Sequence, residues 1–183
     1  MAKYTMDMVL EYAKVFPENA DMGNPEGNRI SQAIYEKGGQ YIVNAYFTSQ
    51  DQIDQLLAEG LQEEILGNPR ILDGNAELGI GKYVKMKRLI NNVISFTDKK
   101  TGKSKEVDYG GAPVIVDLTK GMDNKRPWSF EEDGELGNGT EAKVNFETYS
   151  NGAGIRLVAV GVTKHKVWEK QELDDSEDWM KVA

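Results

Sequence analysis

The sequence predicts a mainly β protein, a small closed or partly open Greek-key barrel of five strands with one α-helix between early strands and long loops. Three observations carry this reading. Short runs rich in β-branched and aromatic residues recur between Gly- and Pro-rich links, as in QYIVNAYF at 40–47 and PVIVDL at 113–118. Residues 140–149 alternate, placing Ala142, Val144 and Phe146 on one face and Lys143, Asn145 and Glu147 on the other. Only one segment sustains helical spacing over several turns. A jelly roll or a sandwich is compatible with the same strands, and no repeat of 20–50 residues is present.

Taken in order, residues 1–16 place Met6, Val9, Leu10 and Ala13 at helical spacing, which predicts a short amphipathic helix ended by Pro17. Residues 18–39 are turn-rich and read as loop, with a short helical piece around Ile30 to Tyr35. Gln40 to Phe47 is a strand. Ser49 followed by Gln52 has the chemistry of a capping box, and Ile53, Leu56, Leu57, Leu61 and Ile65 extend a helix to the Gly67–Pro69 stop. Tyr83 to Phe96 forms one long strand or a broken pair, turned back by TDKKTGKSKE as a hairpin tip. Pro113 to Leu118 is apolar on both faces and reads as a buried strand. Residues 120–139 form a long loop, in which Trp128 and Phe130 either plug a barrel end or join a groove. Ile155 to Trp168 is the last strand.

The 183 residues suffice for one domain with its own core, expected over 1–170, followed by an acidic tail at 171–183. No window approaches 18 consecutive apolar residues, and the N-terminus lacks the pattern of a secretory signal. There is no cysteine and a single histidine, His165. Disulfides, thiolate metal sites and thiol nucleophiles are therefore excluded, and a zinc site would have to be almost all carboxylate. His165 lies in the strand-like run GVTKHKVW and reads as a surface or barrel-lining residue. No nucleophile–base pair, phosphate-binding loop or calcium loop emerges. The expectation is a non-enzymatic protein without metal or cofactor.

The net charge of -8 is segregated along the chain. Residues 171–183 carry five acids against Lys181, whereas residues 82–105 carry eight bases against Asp98. A phosphate chain responds to the charge within about one Debye length, roughly 8 Å at physiological salt, so local balance outweighs the total. In the strand KYVKMKRL, Tyr83, Lys85 and Lys87 share one face, with the lysines about 6.6–6.8 Å apart. That pitch suits the phosphates of an extended single strand, and an aromatic ring can stack a base. The competing reading is a solvated edge strand blunted by lysine. The hairpin tip adds Lys99, Lys100, Lys103 and Lys105. Lys143, Tyr149 and Arg156 lie outward on the last two strands, and Arg88 extends the basic strand. The tail holds Asp174, Asp175, Glu177 and Asp178 around Trp179, an acid-plus-aromatic pattern able to dock in a basic pocket or mimic phosphate and base.

Several segments in order give a resemblance. MGNPEG at 22–27, FTDKKTGKSKEV at 96–107, GNGT at 137–140, KVNFETY at 143–149, GAGIRLVAVGV at 152–162 and Asp178–Trp179 together resemble the single-stranded DNA-binding proteins of short-tailed, autographivirus-type bacteriophages. The resemblance implies an OB fold, a homodimer, and work on single-stranded DNA in replication and recombination in the cytoplasm of the infected host. It further implies a tail that recruits the phage DNA polymerase and helicase–primase and competes with DNA. Lys99, Lys100, Lys103, Lys105, Lys143 and Tyr149 carry over as DNA-contacting positions. This chain departs from the family in a shorter tail, ending Lys181-Val182-Ala183 without a terminal aromatic. The alternative expectation is a phage structural or adaptor barrel that binds only protein.

Overall fold

The computed structural model describes residues 2–167, and the chain is mainly β. In chain order the elements are β1 (Ala2–Lys14), α1 (Arg29–Glu36), β2 (Gln40–Phe47), α2 (Gln50–Ala58), and the two-residue strands β3 (Glu64–Ile65), β4 (Asn68–Pro69) and β5 (Leu72–Asp73). There follow β6 (Lys82–Leu89), β7 (Val93–Thr97), β8 (Ser104–Asp108) and β9 (Val114–Asp117). A 3₁₀ turn (Met122–Asn124), β10 (Arg126–Pro127), α3 (Phe130–Asp133), β11 (Thr140–Tyr149) and β12 (Gly154–Lys164) complete the described residues.

Five long strands close a ring. β1 pairs with β2 and β11, β2 with β6, and β11 with β12, all antiparallel. A parallel bridge between Arg156 and Lys87 joins β12 to β6 and shuts the barrel. Among the ring strands in chain order, the circuit therefore runs first, second, third, fifth, fourth. β9 lies outside the ring as a parallel neighbour of β12, and β7 with β8 forms a separate two-stranded hairpin.

The core fills the ring with alternate residues of every strand: Met6, Met8 and Leu10 of β1, Val43 and Phe47 of β2, Val84 and Met86 of β6, and Val144 and Phe146 of β11. Tyr4 stacks on Phe146 with ring centroids 5.3 Å apart. Ile53 and Leu56 of α2 close one end, near the β11–β12 turn, where the Gln62 amide donates to the Gly152 carbonyl. Trp128 and Phe130 plug the other end. Phe130 packs on Phe16, and Trp128 meets the His165 ring edge-on while its indole N–H donates to Gly134.

The expected helix over 1–16 is a strand. Tyr4, Met6, Met8 and Leu10 are buried at period two while Thr5 and Asp7 are exposed, so the alternation along the first ten residues outweighs the helical spacing of Met6, Val9, Leu10 and Ala13. A register shift between Glu11 and Lys14, with Tyr12 at φ 50°, then turns the strand's end and lets Ala13 and Val15 point inward as well. The helix expected to reach Gly67 stops at Ala58, because Gly60 takes φ 109° and the chain turns there. Leu61 is buried all the same, from the turn rather than from the helix. Residues 82–97 are the broken pair, β6 and β7. In 113–118, Pro113, Ile115, Asp117 and Leu118 are buried as expected, whereas Val116 is half-buried and Val114 is exposed, because β9 lies beside the barrel and not within the ring. A bulge settles β12: Ala159 pairs with Asn145 and Leu157 with Phe146, so Val158 is the extra residue. Leu157, Val160 and Val162 can then all face the core while Arg156 faces out.

One ion-pair cluster secures the long loop before β11. Arg126 bridges Asp117 (3.0 Å) and Asp133 (2.7 Å), and the Asp133 carboxylate also accepts from the Ser129 amide. The Arg126 hydrogen bond comes first among the causes holding the Asp133 carboxyl down, to about 2. A depressed carboxyl stabilises the folded state at neutral pH, and that contribution fades as pH falls from the ordinary range toward 2. A carboxyl-detected NMR titration of Asp133 should give a midpoint near 2, and an ordinary midpoint near 4 would show that the clamp is absent in solution.

Candidate nucleic-acid interface

β6 alternates as its sequence requires, with Val84 and Met86 in the core and Lys85 and Lys87 exposed. Several other lysines of the ring strands have carboxylate partners. Lys82 pairs with Asp73 (2.8 Å), Lys143 with Asp7 (3.0 Å) and Lys164 with Glu141 (3.9 Å). Among the described residues no carboxylate pairs with Lys85 or Lys87. Desolvation first, then the like charges of Lys85 and Arg70, hold the Lys87 ammonium below the usual lysine range, against a smaller opposing pull from Asp21. Among the described residues, positive charge is thus concentrated here without a paired carboxylate.

Lys87 forms part of an open hollow of about 530 Å³ whose walls also carry Arg88, Phe96, Tyr109, Tyr149 and Arg156. A second hollow of about 170 Å³ adjoins it, sharing Lys87 and Tyr149 and adding Arg70 and Lys85. Together they make one trough across the outer face of β6, the ends of β11 and β12 that flank their turn, and the root of the β7–β8 hairpin.

Tyr149 is the platform at the junction. It is 44% exposed and sits directly across the strand pair from Gly154. Its ring lies so close to the Gly154 backbone that any side chain at that position would collide with it. Glycine at 154 therefore lets one side of the ring rest on backbone while the ring borders both hollows.

The two arginines act mainly on the protein itself. Arg88 donates to the carbonyls of Leu157 (3.2 Å) and Gly110 (2.9 Å), tying the root of the hairpin to β12. Burial, and then Arg156 beside it, lower its pKa. Arg156 pairs with Glu147 and lies over the Tyr109 ring, 4.6 Å from its centroid. Burial pushes the Glu147 carboxyl up, but Arg156 and Lys3 together outweigh it and hold the group in its charged form. These contacts fix the wall on which Tyr109 stands.

In the hairpin, Phe96 faces Lys105 and Ile94 faces Val107, so these four side chains share a face. Ile94 and Phe96 line the larger hollow although both are more than 40% exposed. Lys105 is thereby brought to the trough's rim. Lys99, Lys100 and Lys103 occupy the exposed tip beyond it.

Two expected contact residues stand apart. Tyr83 shares the outward face of β6, but its ring packs on Tyr46 (centroids 4.9 Å) and against the backbone of Gly74, which occupies the surface a base would need. Lys143 lies about 20 Å up β11 from Tyr149 and is held by Asp7 of β1. Asp174, Asp175, Glu177, Asp178 and Trp179 lie outside the described residues, as does Trp168.

Arg70, Phe96 and Tyr109 are absent from the sequence-based site. Phe96 had a signal, an aromatic just before the lysine turn in a polar hairpin. Arg70 had none, since its place depends on how the 59–81 loop folds back onto β6.

Among the described residues no cluster of three or more His, Asp or Glu is placed to hold a metal ion, and no helix is long and apolar enough to cross a membrane. No family model and no curated protein matches the chain. Among solved structures it is similar to the single-stranded DNA-binding protein from bacteriophage Enc34, at 10% identity over 97% of this chain and 88% of that one, with a TM-score of 0.46.

Proposed function

We propose that the protein is a non-enzymatic, sequence-tolerant single-stranded DNA-binding protein of a bacteriophage, built on an OB-type barrel. The observation that carries this reading is the trough in which Lys85 and Lys87, unpaired among the described residues, flank the exposed ring of Tyr149. Phosphates meet the lysines and bases stack on Tyr149 and Phe96, while a duplex, whose bases are already stacked on one another, is disfavoured. The ring order and its parallel closure support the OB assignment, for OB barrels bind single strands and sugars on the face of their second and third strands and the loop between the last two. β6 is the third ring strand here, and Tyr149 opens the loop between the fourth and fifth.

Titrating the protein with oligo-dT while following aromatic fluorescence tests the proposal. Log affinity should fall with log salt at a slope near -0.7 for each phosphate neutralised. In the Lys85→Ala/Lys87→Ala double variant the slope should flatten by about 1.4. A slope that is already near zero in the unaltered protein would refute the electrostatic basis of binding.

The acidic tail is assigned, on the strength of the resemblance, to recruiting the phage polymerase and helicase–primase and to competing with DNA for the trough. Removing residues 171–183 should then tighten oligo-dT binding, and an unchanged affinity would dismiss the competition. A homodimer belongs to the same reading.

A further inference from the structure

Among the described residues, Arg70 is the one cation of the trough contributed from outside the ring strands and the hairpin. It follows a tight turn in which Leu66 and Gly67 both take positive φ and β3 pairs with β4. The Arg70 amide donates to the Glu63 carbonyl (2.9 Å), which fixes the backbone where the side chain leaves the loop. That side chain enters the smaller hollow, opposite Lys85, Lys87 and the Tyr149–Gly154 pair. Its Nε is buried and has no hydrogen-bond partner among the described residues. Among the described residues, the hollow's lining contains three cations and no acid.

This arrangement is costly for the empty protein. A buried donor without a partner loses its water with nothing in return. The like charges also repel, which is visible in the lowered pKa of Lys87, to which Arg70 contributes. Lys3, Lys82, Lys143 and Lys164 of the ring strands pair with carboxylates, whereas among the described residues none pairs with Lys85 or Lys87. A volume of about 170 Å³ is below the roughly 300–1,000 Å³ of an ordinary small-molecule cleft. It suits a single tetrahedral oxyanion of a chain that continues outside it.

We infer that Arg70, Lys85 and Lys87 form a phosphate seat for a single-stranded polynucleotide, adjoining the base seat of Tyr149 on Gly154. The inference rests on the binding function proposed above and adds a defined nucleotide position to it. The guanidinium offers forked donors to two phosphate oxygens, and the two ammonium groups supply charge from the other side. One nucleotide is then held at both ends, by its phosphate in the smaller hollow and by its base at the junction with the larger one. The α2–β6 loop becomes part of the interface instead of a connection.

The test uses the full chain with Arg70→Ala and Arg70→Lys, titrated with oligo-dT over a series of salt concentrations. Arg70→Ala should weaken binding and flatten the log–log salt slope by about 0.7, one phosphate's share, while the fluorescence change at saturation persists. Arg70→Lys should restore the slope, because it returns the charge, and recover only part of the affinity, because it lacks the fork. Thermal unfolding of each variant guards against a folding defect, and the lysine variant carries the decision if the alanine variant unfolds early. An unchanged slope in Arg70→Ala, with the unaltered protein still binding oligo-dT in a salt-dependent way, overturns the phosphate seat and leaves the broader function standing. Equal loss of slope in the alanine and lysine variants also overturns it, since charge would then not be what Arg70 supplies. Absence of salt-dependent oligo-dT binding in the unaltered protein removes both.

Discussion

Truncating Phe146 to alanine should destabilise the protein by roughly 3–5 kcal/mol, the usual cost of emptying an aromatic site in a packed core. Phe146 is fully buried, stacks on Tyr4, and stands in β11, between the two strands β1 and β12 that complete the ring on either side. The neighbouring walls are strand backbone tied on both edges, so the cavity cannot collapse easily. A domain of this kind has about 5–15 kcal/mol of stability in total, so the variant should unfold at a much lower urea concentration. A loss below 1 kcal/mol would mean that the ring is not closed around this side chain.

Removing the Tyr149 ring should leave stability nearly unchanged and weaken oligo-dT binding by about 1–3 kcal/mol, a factor of roughly 5 to 150. The contrast with Phe146 follows from position. Both residues belong to β11, but Phe146 points inward, whereas Tyr149 ends the strand and rests on Gly154 with nearly half its surface in water. Tyr149→Phe should behave almost as the unaltered protein, since stacking needs the ring and not the hydroxyl. Equal weakening in the phenylalanine and alanine variants would assign the effect to a hydrogen bond of the hydroxyl instead.

The sequence was most legible where one periodicity stood alone. β2 and β11 follow their patterns to the residue, because a strand with one face in the core must alternate or continue apolar. The first strand was obscured by a register irregularity: the shift after Glu11 turns Ala13 to the core, so the strand's buried residues include positions 6, 9, 10 and 13, which also fit a helix. In β12 the apparent conflict between Arg156 and the valines vanished once Val158 was bulged, a feature that pairing determines and residue types do not. The helix from Gln50 was visible, but its end was decided by the Gly60 turn against Gly152 of the β11–β12 connection.

For the site, Lys85 and Lys87 could be read directly, since strand parity fixes their direction once Val84 and Met86 are in the core. Tyr149 and Arg156 were visible as outward positions near a strand end, although Arg156 is engaged with Glu147 and Tyr109. Tyr83 and Lys143 have the expected residue types and parity, but their neighbours could not be read from the sequence. Tyr46 and Gly74 cover the first, and Asp7 holds the second. Arg70 was beyond reach because a loop brings it to β6 from a dozen or more residues away. Residue type and direction are local properties, whereas access and charge compensation depend on what the fold sets alongside.

Mapping where a strand touches the protein tests the central claim most directly. Backbone amide and side-chain NMR shifts, or hydrogen-exchange protection, should be recorded with and without saturating oligo-dT. The changes should centre on Arg70, Lys85, Lys87, Phe96 and Tyr149 and spare the plugged end around Trp128 and Phe130. Changes confined to that plugged end, or to the Lys143–Asp7 face, would contradict the trough as the binding surface.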